Sequence, residues 1–150
     1  MINKNFNEII LHCSATPEGK DFNAQWIRNI HIKENGWLDI GYHKVIKLDG
    51  TVEEGRDISK IGAHCADNGK NKTSLGIVYV GGCDKNMNPK DTRTDKQKQS
   101  IEKLIRQLVK EYPQLKYLSG HNNYANKACP SFDVSKEYAY LSDVIKVGKN

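Results

Sequence analysis

Three residues far apart in the chain, His12, His121 and Cys129, offer two imidazoles and one thiolate. That is the donor set of a catalytic-type zinc site, whose fourth position is left for water. His12 closes the run Ile9-Ile10-Leu11, while His121 and Cys129 bracket a polar segment with the spacing His-x7-Cys. Taken singly, each has a plain reading. A histidine on an apolar strand is more often a hydrogen-bonded core residue than a ligand, and a lone cysteine is usually a small buried hydrophobe. His-x7-Cys is not a general zinc motif either. What favours a metal is the pattern of strand ends. Glu8 to His12 reads as a short buried strand, and Leu115 to Ser119 as another, so both histidines follow strands. Ligand sites commonly lie at the carboxyl ends of strands in α/β proteins. No His-Glu-x-x-His segment is present, so the glutamate base of the common metalloproteases is missing.

The elements that must position these residues are legible in outline. Asn23 to about Asn35 is a helix candidate, capped by Asp21 or Asn23, with Ile27, Ile30 and His31 at helical spacing and Asn35-Gly36 as its stop. Tyr42 to Leu48, a two-residue Asp49-Gly50 turn of positive φ, and Thr51 to Glu54 form a hairpin. Ser74 to Val80 is a second apolar strand. Thr94-Asp95-Lys96-Gln97 has the spacing of a capping box, and Ile101, Leu104, Ile105 and Leu108 continue at helical intervals until Pro113. The pattern predicts an α/β fold: one domain over 1–150, core about 8–141, with a central mixed sheet flanked by helices and the zinc site in a groove at the strand ends.

At 150 residues the chain accommodates one domain, large enough to bury roughly two thirds of its unfolded surface without disulfides. It is 37% hydrophobic and 27% charged, ordinary for a globular protein. Met1 to Glu8 lacks the apolar run of a signal peptide and no stretch is long enough for a membrane helix, so the expectation is cytoplasmic synthesis without membrane insertion. The formal charge of +5 suits an anionic partner such as cell wall, acidic lipid or nucleic acid, and its sign alone does not choose among them. Cys13, Cys65, Cys83 and Cys129 form no CxxC pair and imply thiols rather than a disulfide framework. Alternation along strands turns His43 away from Tyr42, and Cys13 away from a metal at His12. His31 packs or hydrogen-bonds on the apolar side of the first helix.

Six blocks carry a resemblance across nearly the whole chain: His12-Cys13-Ser14-Ala15-Thr16, Gly36 to His43, Asp49 to Glu53 with Gly55-Arg56-Asp57, Gly62-Ala63-His64, Val80-Gly81-Gly82, and Lys127-Ala128-Cys129-Pro130-Ser131-Phe132-Asp133. Together they resemble the type 2 N-acetylmuramoyl-L-alanine amidases, relatives of the peptidoglycan recognition proteins. The resemblance implies a zinc hydrolase of endolysin, prophage or wall-remodelling type. It would cut the amide between N-acetylmuramic acid and the L-alanine of peptidoglycan. It further implies one zinc ion per chain on His12, His121 and Cys129, catalytic roles for Tyr42 and Lys127, and a substrate-binding role for His64 in the groove. Peptidoglycan or muropeptide is then the partner, with no nucleic acid expected, a monomer acting alone, and access to the wall after lysis or by holin-type or other export. Two other readings share the fold: a non-catalytic peptidoglycan-binding module, against which Cys129 speaks, and a polymerase-regulating protein, for which the basic charge is the only support. The segment Cys65 to Ser74 is longer and more basic than the family pattern.

Overall fold

The computed structural model describes residues 1–149. In chain order the strands are β1 (Glu8–Cys13), β2 (Thr16–Pro17), β3 (Lys44–Ile46), β4 (Val52–Glu54), β5 (Ser74–Tyr79), β6 (Gly82–Cys83), β7 (Tyr117–Gly120) and β8 (Lys146–Val147). The α-helices are α1 (Ala24–Asn35), α2 (Asp95–Glu111) and α3 (Val134–Glu137). Six strands make one sheet in the order β4-β3-β5-β1-β7-β8, and β2 pairs with β6 in a small second one. The β3–β4 pair is antiparallel and the remaining pairs are parallel, so the expected mixed sheet is present. Its centre is β1, flanked on both sides by parallel neighbours and buried along its whole length. A strand covered on both faces needs no polar alternation, which is why Ile9, Ile10 and Leu11 run together.

Side-chain alternation divides the sheet into two unlike faces. Ile9, Leu11, Cys13, Leu75 and Ile77 pack in one cluster with Ile101, Leu104, Ile105 and Leu108 of α2. Burying each such side chain contributes about 1.5–3 kcal/mol. The opposite face carries Glu8, Ile10 and His12 on β1, with Ser74, Gly76 and Val78 beside them on β5. There Val78 joins Val45 and Ala24 and Ile27 of α1 in a smaller apolar cluster. Buried polar side chains concentrate on this face: Glu8, His12, Ser74 and Ser119.

Both long helices begin and end as their sequences dictate. The Asn23 side chain accepts the Trp26 N–H at 2.8 Å, and Gly36 closes α1 with a left-handed φ of 69°. The Thr94 hydroxyl caps the Gln97 N–H while the Gln97 side chain accepts the Thr94 N–H. The hairpin differs from expectation. Its strands are shorter, Tyr42 and His43 precede β3, and Lys47 N–H bonds Thr51 O across a three-residue loop in which Gly50 alone has positive φ, 88°. Asp49 caps that loop by accepting the Thr51 N–H, so the turn is a three-residue type rather than the expected two-residue one. The packed core runs from Ile2 and Phe6 to Ile145. Among the described residues no helix is long and apolar enough to cross a membrane.

Candidate metal centre

Parallel register aligns the site. Leu11 pairs with Gly120, so His12, one residue before the end of β1, and His121, the first residue after β7, emerge side by side. Their ring centroids are 4.8 Å apart. Cys129 arrives from the following loop, which is held at several points. Tyr79 Oη donates to Pro130 O at 2.7 Å, Ser131 Oγ to Gly82 O at 2.8 Å, and Asn122 Nδ2 to Phe132 O at 3.1 Å. Gly82 has no replacement in this packing, because a Cβ there would lie 2.4 Å from Cys13 Sγ. The result is that one ligand atom each from His12, His121 and Cys129 lie within 4.8 Å of one another.

The hydrogen bonds fix which nitrogen of His12 faces this cluster. Ser74 O accepts only, so His64 Nε2, 3.2 Å away, must carry the proton. Burial pushes the His64 pKa down to about 3, so the ring is neutral and its Nδ1 is an acceptor. That nitrogen lies 2.8 Å from His12 Nε2, which therefore donates. His12 Nδ1 is left with its lone pair, 3.7 Å from Cys129 Sγ. Burial, reinforced by His64 and His121, holds His12 well below the usual imidazole range, so it too is neutral. The backbone N–H of Cys13 donates to Cys129 Sγ at 3.2 Å, but a hydrogen bond with the Cys13 thiol, together with burial, holds the Cys129 thiol above its usual range, so the thiolate forms as a metal displaces the proton. Cys13 thus touches the site through its main chain and also through its thiol, which packs in the α2 cluster while hydrogen-bonding Cys129 and Ser131, so alternation does not carry it clear of the site as expected.

His64 was expected along the groove; the structure places it 7% exposed beneath His12, with its ring nitrogens engaged by His12 and Ser74. Two features create its place. A Cβ on Gly76 would stand 2.6 Å from His64 Cγ, so only glycine leaves room for the ring over β5. Asn71 Oδ1 accepts both the His64 and Cys65 N–H groups, at 2.8 and 2.7 Å, and clamps the loop. Tyr42 is half-buried with its ring centroid 5.1 Å from that of His12. Burial holds its hydroxyl above the usual range, with Cys129 and Cys13 adding to the effect. Lys127 is exposed at the rim, and its charge lowers the pKa of both His12 and His121. His31 accepts the Gly41 N–H at 2.9 Å and His43 the Gly76 N–H at 3.0 Å, so both are hydrogen-bonded parts of the scaffold.

Beside the cluster opens a cavity of about 410 Å³ walled by Ala15, Phe22, Trp26, Ile30, His31 and Tyr42, among others. It is apolar along α1, where Phe22 and Trp26 stack 3.9 Å apart. A larger depression near Lys116 and β8 shares none of these residues. No local pattern points to Asp67, whose Oδ2 lies 3.7 Å from His121 Nε2, or to Ser74 behind His64. Both contacts depend on tertiary folding of residues that are unremarkable locally.

The model of the N-acetylmuramoyl-L-alanine amidase family matches residues 3–132. The chain belongs to that family. The amidase is 44% identical over 130 residues to the endolysin of Klebsiella phage KP32, covering 87% of this chain and 83% of that protein. It is 43% identical over 128 residues to the endolysin of Escherichia phage T7, covering 85% and 82%. Among solved structures, the N-acetylmuramoyl-L-alanine amidase LysC from Clostridium intestinale URNW superposes with a TM-score of 0.77 at 30% identity, over 95% of this chain and 87% of that one. All six blocks singled out in the sequence lie within or at the edge of the matched span.

Proposed function

We propose that this amidase is zinc-dependent, that 1–150 is one catalytic domain working as a monomer, and that it cuts the amide between the lactyl group of N-acetylmuramic acid and L-alanine in peptidoglycan. The observation that carries the reading is the convergence of His12 Nδ1, a His121 nitrogen and Cys129 Sγ. The donor set fits zinc: two neutral imidazoles and one thiolate, with a backing hydrogen bond from His12 to His64 of the kind that fixes metal-bound histidines. Bound there, zinc supplies a Lewis acid for the scissile carbonyl and lowers the pKa of a water to about 7.

The protein's own groups do the rest. Tyr42, kept protonated by burial, accepts a hydrogen bond from the attacking water on its phenolic oxygen and relays the proton, taking the one the water loses as it gives its own to the leaving alanine nitrogen. Lys127 brings its ammonium from the rim to the oxyanion that develops on the carbonyl. His64 holds His12 in one tautomer, and the cavity along α1 receives the substrate beside the scissile bond. This enzyme reaches the wall after lysis or through a holin-type or other export route.

The decisive experiment is mass spectrometry of purified peptidoglycan digested with and without chelator and added zinc. Stem peptides with a free L-alanine terminus should appear, vanish with chelator and return with zinc. Cys129→Ser should release none. Chelator-insensitive release, or full activity in Cys129→Ser, overturns the zinc mechanism.

A further inference from the structure

A second set of soft and hard donors meets on the far side of His121. Cys65 Sγ, an Asp67 carboxylate oxygen and a His121 nitrogen lie within 4.8 Å of one another. His121 Nε2 and Asp67 Oδ2 are 3.7 Å apart, too long for a direct hydrogen bond. Two ligands each about 2.1 Å from a common zinc ion and separated by that distance subtend a wide tetrahedral angle. The separation is therefore that of two ligands sharing one ion.

The surroundings suit a cation of this kind. Cys65 is 1% exposed, so its sulfur forms the floor, whereas exposed Asp67 forms the open side through which an ion and its remaining water enter. The loop is pinned by Asn71 through the His64 and Cys65 N–H groups, and Asn68 and Gly69 both hold positive φ at its bend, 56° and 67°. Neither Cys65 nor Asp67 has a task in the amidase chemistry.

We propose that Cys65, Asp67 and His121 form a second metal site, selective for thiophilic divalent ions such as zinc, cadmium or cobalt. A thiolate, an imidazole and a carboxylate favour such ions over magnesium or calcium, which take oxygen donors. Binding exchanges the Cys65 thiol proton for the metal–sulfur bond, and with the first site filled His121 also gives up its remaining N–H proton to bridge the two ions as imidazolate; both protons go to solvent. The second site shares His121 with the first, which makes it the weaker of the two and couples their occupancies. It uses none of the other residues on which the amidase reading rests.

The probe is cobalt(II), titrated into the metal-free full chain and followed by the thiolate-to-cobalt charge-transfer absorption together with metal per chain. The wild type should saturate in two steps with two ions bound. Cys129→Ser should keep one ion and a thiolate band, and Cys129→Ser with Cys65→Ser should lose that band. Because Cys65 is buried, Asp67→Asn on the surface gives an independent check, with loss of the second step and retention of the first. A single step in the wild type, or no thiolate band in Cys129→Ser at excess cobalt, overturns the proposal. Failure to cleave peptidoglycan changes neither readout, so the two readings stand or fall separately.

Discussion

His64 decides which nitrogen of His12 is presented to a metal, and it does so from beneath the site. Removing it leaves His12 free to rotate and to change tautomer. His64→Ala should weaken zinc binding about 10–100-fold, measured by competition with a chromophoric chelator. Lys127 acts at the rim and on the reaction rather than on the metal. Lys127→Ala should therefore keep zinc content unchanged while kcat falls about 10²–10³-fold, as for loss of one oxyanion donor. A parallel loss of zinc would assign Lys127 a structural part instead. At this scale His12 and His121 stood out by the strands they follow, whereas Cys129 stood out only through the family block it sits in, and the structure brings one ligand atom of each together. The partners that tune them were hidden. His64 lies 52 residues from His12 in the chain, and its contact depends on a glycine whose function is only to be small.

β5 shows how an element serves the site by what it omits. Gly76→Ala places a methyl group against the His64 ring, which has no room to retreat between β5 and the loop at Gly62. The variant should lose about 1–3 kcal/mol of stability in chemical denaturation, as overpacked sites do, and should weaken zinc in the same direction as His64→Ala. α1 contributes a wall rather than a ligand. Trp26→Ala should raise KM for peptidoglycan fragments more than it lowers kcat, because the side chain lines the cavity and is absent from the metal cluster. Elements with strong local signals were legible: α2 through its capping box and apolar stripe, α1 through Asn23 and Gly36, β1 through its apolar run. The two-residue strands β2, β6 and β8 were not, because so short a segment has no periodicity to detect. The hairpin was misjudged because Asp-Gly serves three-residue loops as well as two-residue ones.

The whole molecule gathers four buried histidines on one side of its sheet, His12, His43, His64 and His121. Each has a pKa held below its unfolded value of about 6.5, chiefly by burial. The unfolded chain therefore binds more protons than the folded one at acid pH, and stability rises with pH through that range. For the metal-free protein this contribution is complete above about pH 6.5 and declines as pH falls toward the folded pKa, about 3 for His64. Each group costs up to about 1.4 kcal/mol per pH unit. Urea midpoints of the apoprotein should fall steadily between about pH 6.5 and 4; flat midpoints would mean the rings are already charged in the fold. Zinc at about 100 times its dissociation constant should add about 2.7 kcal/mol and raise Tm by roughly 5–10 °C. Cys129→Ser should remove the part of that increment due to the His12, His121 and Cys129 site.

The thiol of Cys129 stands 117 residues beyond the imidazole it faces. During synthesis the ribosome releases His12 117 residues before Cys129. A nascent chain cut short, or still emerging at residue 120, carries one of the three ligands. Hydrolytic power over the wall thus cannot accumulate in fragments; it arrives all at once, when a chain is complete enough to fold.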